Sequence, residues 1–547
     1  MPGKGGDLTP IVDLTLAKGA GPVRSQRPVY RDLLPPCNHA CPAGENIQAW
    51  LDLAQAGRYR AAWEVLVRDN PMPAVHGRVC YHPCEGACNR GDLDAPVSIH
   101  AVERFLGDLA AAEGWPYKLD APPSGQRVLV IGAGPSGLSA AYHLARLGHT
   151  VEIREAGPLP GGMMHFGIPA YRLPRATLMN EVRRIEAMGV AITLNHKVED
   201  LLAERTAGGF DAVFVAIGAG VAKHVDIPAR DAVRVLDAVS LLHHVKQGEP
   251  PRLGRRVVIY GGGNTAVDAA RTAARLGVED TLIVYRRDRK HMPAQAFEMD
   301  EALEEGIKVK WLSTIKQITG SELTVERTEL DANGRPTPTG IFETLQADAV
   351  ILAVGEETDS GFLRRIPGIE FAGDGVVRVG PDMMTGCAGI FAGGDMVPGE
   401  RTVTASVGHG KRAARHLDAW LRGAPRRVAP RPDVVNFGML HLPVYSDAER
   451  SVQAVLAAAE RVRGFDEVVA GLTEPETLYE ARRCLSCGVC YECDQCFAAC
   501  PEQAIVKLGQ GKRYQFEYAK CTGCAECFEQ CPCHAISLIP EREGARA

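Results

Sequence analysis

Five short apolar runs, each closing on a glycine turn, punctuate the middle of this 547-residue chain. RVLVIGAG begins at Arg127, DAVFVAIGAG spans 211–220 and RVVIYGGG begins at Arg256. ADAVILAVGEE spans 347–357 and GIFAGGDMV spans 389–397. Runs of this length without polar alternation mark parallel strands buried on both faces. Helical patterns separate them, so the chain to about residue 420 reads as α/β with parallel sheets. Outside this region the period changes. IQAWLDLAQAG and SIHAVERFLGDLAAA read as helices, and so does the stretch 446–483. Residues 1–36 are rich in Pro and Gly and read as a tail or wrapping arm. APPSGQ at 121–126 and the basic, Pro-rich RGAPRRVAPRP at 422–432 read as linkers.

Two of the glycine turns carry dinucleotide fingerprints. In the first, Gly132 permits the tight turn, Gly134 lets backbone approach a pyrophosphate, and Gly137 allows close helix–strand packing. The next strand, TVEIRE, ends about twenty residues on at Glu155, an acceptor suited to a ribose diol. The second fingerprint has Gly261 and Gly263 at the turn, followed by Asn264, Thr265 and Ala266. Its next strand ends in Arg286 and Arg287 rather than an acid. Arginines suit the 2′-phosphate of NADP; a solvated strand end is the competing reading. No G-K-[ST] follows either loop, which excludes a P-loop ATPase.

Cysteines change the picture most. Of the 17, all but Cys387 lie near the two ends. Two copies of C-x2-C-x2-C-x3-C-P close the chain: Cys490, Cys493, Cys496, Cys500, then Cys521, Cys524, Cys527, Cys531. This is the bacterial spacing for two [4Fe–4S] clusters, with the fourth cysteine of each copy serving the other cluster. One set is therefore Cys490, Cys493, Cys496 and Cys531, the other Cys521, Cys524, Cys527 and Cys500. A disulfide scaffold and a zinc site are the competing readings. Near the start stand Cys37, Cys41, Cys80, Cys84 and Cys88. His39, His82 and His100 lie near them without ligand spacing and read as core or solvated residues.

Composition is that of a globular protein, 46% hydrophobic and 23% charged. A net charge of −6 argues against nucleic-acid binding. With no apolar leader pattern and no run long enough for a membrane span, the expectation is a cytoplasmic protein. No catalytic residue is expected, since no Ser–His–Asp or paired-carboxylate set stands out.

With these motifs in place, the layout resembles the two-dinucleotide-domain flavoproteins that include thioredoxin reductase. It resembles more closely the glutamate synthase small subunit and the flavin and NADPH part of dihydropyrimidine dehydrogenase. GGMMHFGIPAYRLP (161–174) and VYRRDRKHMPA (284–294) are similar to the flavin and NADPH segments of that subgroup. The C-x-x-C that thioredoxin reductase carries in its NADPH domain is missing here, which argues against disulfide reduction. The resemblance implies an NADP domain inserted in an FAD domain, both Rossmann-like. FAD would lie against the first fingerprint with Gly162, Gly394, Asp395 and Thr404. NADP(H), with NAD(H) the alternative, would lie against Gly261, Gly263, Asn264, Thr265, Arg286 and Arg287. Expected boundaries are an arm 1–36, a helical Fe–S domain 37–120, and FAD domain parts 121–235 and 361–424. The NAD(P)H domain is 236–360, linker and helices 425–483, and the ferredoxin domain 484–547.

The resembled family also has two [4Fe–4S] clusters in its helical domain, built on an R-C-x-x-C pair that is missing near this N-terminus. That pair occurs instead as Cys484 and Cys487. The expectation is that it folds back, so that Cys37, Cys88, Cys484 and Cys487 hold one cluster. Cys41, Cys80 and Cys84 would hold the other, with Glu103 as the ligand implied by the resemblance. A separate zinc or spare-thiol site for Cys484 and Cys487, and a plain helix acid for Glu103, are the alternatives. Cys387 and Cys533 are left over. The expected protein is an electron-transfer subunit of a hetero-oligomer, joining NAD(P)H to a ferredoxin or redox enzyme such as a 2-oxoacid oxidoreductase through FAD and four clusters. A glutamate synthase small subunit and a non-catalytic Fe–S relay module are the alternatives.

Overall fold

The computed structural model describes residues 24–223, 225, 227–230, 234–424, 430–441 and 446–541. Most of the N-terminal arm, the centre of the basic linker and the charged tail lie outside these. Two parallel five-stranded sheets form the middle of the molecule. The first runs Ile390–Ala392, Ala212–Val215, Arg127–Ile131, Thr150–Arg154, Ala191–Thr193. The second runs Lys308–Lys310, Asp280–Val284, Arg256–Gly261, Ala349–Ala353, Arg234–Asp237. Their central strands are the apolar glycine-ended runs; helices bury one face of the second sheet, and the antiparallel strands Ser313–Thr319 and Glu322–Leu330 cover the other through Ile315, Ile318, Leu323 and Val325. The chain leaves the first sheet after Ala212–Val215 and returns to it at Ile390–Ala392. A short antiparallel ribbon, Val221–Ala222 against Glu356–Glu357, carries both crossings.

In the first domain the helix after the fingerprint, Pro135–Arg146, packs on the long helix Val403–Leu421. Glycine makes this approach close: a Cβ at Gly410 would lie 2.3 Å from the Ser136 carbonyl oxygen. The starts of both helices, Pro135 and Ser136 of one and Thr402 and Val403 at the other, line the same cavity.

The N-terminal helices Ile47–Gln55, Tyr59–Leu66 and Ile99–Ala112 enclose their own core around Trp50, Trp63, Leu66 and Leu106, while Pro73–Val79 gives Val75 and Val79 to the core of the first sheet. The late helix Glu474–Arg482 joins the helical core through Ala481. The stretch 446–483 departs from its helical reading, with only Ala458–Arg461 and Glu474–Arg482 helical. SVQAVL runs extended instead, because it and the preceding Arg450 find partners on the N-terminal domain and on helix Glu474–Arg482. Arg450 donates to Ser98 Oγ at 2.6 Å, His100 pairs with Gln453 at 2.8 Å, and Ser451 N donates to Glu480 at 2.6 Å. Such long-range bonds override helix propensity.

The expected arm also becomes structure. Strand Gln26–Tyr30 pairs antiparallel with the last strand, Ile536–Pro540, and so completes the C-terminal module. Arg24 donates two 2.7 Å bonds to Glu541, and Tyr30 stacks on Phe516. The two ends of the chain thus form one unit.

Candidate redox-cofactor sites

A single cavity of about 1140 Å³ runs between the two sheets and takes in both fingerprints. Gly132 has φ +101°, and a Cβ there would meet the Ala216 carbonyl at 2.4 Å. A Cβ at Gly137 would lie 1.9 Å from the Gly132 carbonyl, whereas Gly134 faces open space in the cavity. Pro135 starts the helix, whose free amides point into that space. A methyl at Gly137 is therefore expected to displace the loop. Gly137→Ala should purify without visible flavin absorbance; flavin retained at the wild-type ratio would refute this role.

Glu155 lines the cavity, but its carboxylate also closes the loop. It accepts from Ala133 N and Gly157 N, each at 2.7 Å. Lone pairs remain on both oxygens for a ribose diol. Gly162, with φ +54°, brings the GGMM loop against Gly134. Asp395, held by Ser406 Oγ at 2.9 Å, faces the cavity, and burial raises its carboxyl pKa. Gly394 beside it has φ +78°. Thr402 caps the long helix, accepting from Ala405 N, and with Val403 lines the cavity. Thr404, expected at the flavin, is not among the cavity-lining residues; it is buried beside Cys80.

In the second fingerprint, a Cβ at Gly261 would meet the Ala353 carbonyl at 2.1 Å, and Gly263 is open. Asn264 accepts from Gln295 N at 2.9 Å and donates to the Tyr81 hydroxyl at 2.7 Å. Thr265 donates to Glu356 at 3.2 Å. Arg286 and Arg287 both line the cavity, and Arg287 Nε is buried without a hydrogen-bond partner. An orphaned guanidinium nitrogen at a glycine loop is the chemistry a phosphate satisfies.

Where the two nucleotide domains meet, Arg172, its side chain 11% exposed, sits between Asp268, at 2.8 Å, and Glu298. Arg172, Asp268 and Tyr81 line the cavity together. Tyr81 comes from the helical domain and follows Cys80 directly.

The thiols fall into groups. Cys37, Cys88, Cys484 and Cys487 surround one small cavity, although almost 400 residues separate Cys88 from Cys484. Asn89 Nδ2 donates to Cys487 Sγ at 3.5 Å. Cys500, Cys521, Cys524 and Cys527 surround a second such cavity. Burial raises the thiol pKa of Cys490 and of Cys496, the Glu492 amide and the Tyr30 hydroxyl respectively oppose it, and Cys490, Cys493, Cys496 and Cys531 lie close enough to act on one another electrostatically. Cys84 is pushed well above the usual thiol range by burial, then by Cys80 and Cys41. Backbone amides point at the sulfurs: Ser486 N at Cys484, His82 N at Cys80, Ala504 N at Cys500 and Ala535 N at Cys531, all at 3.2–3.4 Å. Gathered thiols bonded by amides are a donor set that fits [4Fe–4S] clusters. None of the cysteines is disulfide-bonded. Cys387 packs against the core of the first sheet.

Glu103 is not the plain helix acid of the alternative reading. It is 5% exposed, and Asn70 donates to it at 2.7 Å. Burial, then the Glu45 carboxylate, raises its pKa well above the usual range. Glu45 is a second buried carboxylate here, which the sequence reading missed. Asn70 also donates to Glu45 at 3.1 Å, and after burial the Glu45 carboxylate is the next influence raising the Cys41 thiol pKa. Its position four residues past Cys41 was the available signal.

Two nucleotide loops on one cavity, with thiol sets beside it, define an NAD(P)H-dependent oxidoreductase that carries FAD and [4Fe–4S] clusters. The chain belongs to the pyridine nucleotide-disulphide oxidoreductase family, whose pattern matches residues 126–410. Dihydropyrimidine dehydrogenase domain II, 4Fe-4S cluster, matches residues 27–115, and a 4Fe-4S dicluster domain matches 489–535. The chain is 34% identical to the NADP(+)-dependent formate dehydrogenase subunit beta of Moorella thermoacetica, over 83% of this chain and 70% of that one. It is 33% identical to the NADPH-Fe(3+) oxidoreductase subunit beta of Geobacter sulfurreducens, over 83% and 75%. It is 32% identical to the glutamate synthase [NADPH] small chain of Escherichia coli, over 71% and 89%. No helix among the described residues is long and apolar enough to cross a membrane.

Proposed function

We propose that this chain is the NADPH-reactive subunit of a hetero-oligomeric redox enzyme, exchanging electrons with a protein partner through its C-terminal module. Flavin, when bound, exchanges hydride with nicotinamide and single electrons with iron–sulfur clusters. The residues do the placing. The fingerprint amides and the start of the helix Val403–Leu421 bind and polarise the flavin, and Arg286 and Arg287 hold the 2′-phosphate. The four ligand sets are Cys41, Cys80, Cys84 with Glu103; Cys37, Cys88, Cys484, Cys487; Cys490, Cys493, Cys496, Cys531; and Cys500, Cys521, Cys524, Cys527.

One observation carries the reading. Tyr81, adjacent to Cys80, forms a wall of the dinucleotide cavity and bonds Asn264 of the second fingerprint. From there, consecutive sets share short pieces of chain. Cys37 and Cys41 are one helical turn apart, joined by the Cys41 N to Cys37 O bond. Cys487 and Cys490 are three residues apart, and Cys496 and Cys500 four. Neighbouring sets are therefore kept close by covalent geometry. The relatives support a multisubunit setting, since their names describe beta subunits and a small chain. A 2-oxoacid oxidoreductase or a free ferredoxin fits the same port.

The test is anaerobic NADPH titration of the full chain. Expected are flavin bleaching, reduced-cluster signals and about 16 iron atoms per chain. Absent flavin, or about 8 iron atoms, would overturn the reading. Replacing Arg286 and Arg287 by alanine should raise the KM for NADPH about 100-fold, the loss of two charge-assisted bonds, and leave that for NADH unchanged. Equal effects on both nucleotides would place the phosphate elsewhere.

A further inference from the structure

Cys533 belongs to neither ferredoxin motif, since the second closes at Cys531 and Pro532. Even so, its Sγ stands 3.9 Å from Cys531 Sγ, and the residue is only 2% exposed. It lies in the same buried cluster as Cys496, Cys527 and Cys531, and Cys490 and Cys493 are near enough to act on it electrostatically. Five thiols therefore converge where four are needed. The backbone holds Cys533 in place. Its carbonyl accepts from Gly488 N at 2.6 Å, and Pro532 stiffens the turn between the two sulfurs. The only sulfur partner of Cys533 among the described residues is Cys531 itself. Cys531 is marked as the ordinary ligand by the amide of Ala535, which points at its Sγ.

We propose that Cys533 is a reserve ligand for the cluster held by Cys490, Cys493, Cys496 and Cys531. When the Cys531 sulfur leaves its iron as a thiolate, it takes up the proton of the neighbouring Cys533 thiol, and the Cys533 sulfur takes the vacant position. One iron–sulfur bond breaks and one forms, with no change in electron count. A displacement shorter than the 3.9 Å between the sulfurs achieves the exchange. The inference rests on the ligand set proposed above for this cluster.

The test compares iron content and reduced-cluster EPR in the full chain for Cys531→Ala, Cys533→Ala, the double variant and Cys493→Ala. Cys531→Ala is expected to keep the wild-type iron complement with an altered EPR line shape. The double variant is expected to lose iron. Equal iron loss in Cys531→Ala and the double variant would overturn the proposal. Cys493→Ala checks the underlying ligand set: unchanged iron there would refute that set, and the reserve role with it. Cys533→Ala keeps every proposed ligand and should fold normally. It is expected to lose iron to a chelator several-fold faster than wild type, because a released iron is no longer recaptured. Equal rates would also overturn the proposal.

Discussion

Serine at both Cys484 and Cys487 is expected to remove about four iron atoms per chain and to leave the ferredoxin signals in place. The two sulfurs form half of the set that includes Cys37 and Cys88. The loop carrying them is positioned by protein contacts that the substitution does not touch. Arg483 is buried against Glu480 and Asp94, both at 3.0 Å, and its carbonyl accepts from Arg90 at 3.1 Å. The loop should therefore stay docked while its metal is lost. Because metal binding contributes directly to folding free energy, the melting temperature should fall as well. Iron analysis and EPR of the reduced protein decide the matter. If a ferredoxin signal disappears instead, Cys484 and Cys487 serve the C-terminal module and the fold-back assignment is wrong.

Replacing Arg172 by methionine is expected to destabilise the junction of the nucleotide domains by about 3–5 kcal/mol. Asp268 and Glu298 are 6% and 1% exposed, and Arg172 is the cation between them. Arg271 and Arg275 are nearby but committed to Glu301 and Glu305. Methionine fills similar volume, so the loss isolates the uncompensated charge. The pH dependence follows from Glu298. Burial already raises its carboxyl pKa, and Arg172 opposes that rise. Without the arginine, the folded-state pKa climbs further above the unfolded value. The native state then holds this proton more tightly than the unfolded state. The variant's deficit should accordingly be smallest in mild acid and grow as pH rises toward and above neutral. Thermal unfolding of wild type and variant at several pH values tests this. A deficit independent of pH would show that Glu298 is not the stranded charge.

These two expectations differ in how far sequence alone reaches. The pair Cys484 and Cys487 was conspicuous because the ferredoxin motif is complete without it. Arg172 was not: PAYRLP resembles a flavin segment, and nothing in its spacing names Asp268 or Glu298. Thr404 and Thr402 illustrate the same limit at short range. Both begin one helix, but only Thr402 lines the cavity, because helical rotation turns Thr404 toward Cys80. Glu45 sat in plain view beside Cys41, yet its burial depends on Asn70, in the loop before helix Pro73–Val79, and on His76 within that helix. The extended course of 446–457 contradicts its own helical pattern, since its partners Ser98, His100 and Glu480 lie on distant elements.

The sequence by itself determined the parts whose physics is local. Gly132 and Gly261 stand where backbone must take positive φ, and cysteines three or four residues apart reach one another within a turn. Steric limits between near neighbours set both, so they can be read along the chain. Only the tertiary structure decided which parts meet: Gln26–Tyr30 with Ile536–Pro540, Cys88 with Cys484, Tyr81 with Asn264, Arg172 with Asp268. Those pairings depend on burying apolar faces and satisfying charges contributed by remote segments, a balance that no stretch of sequence contains on its own.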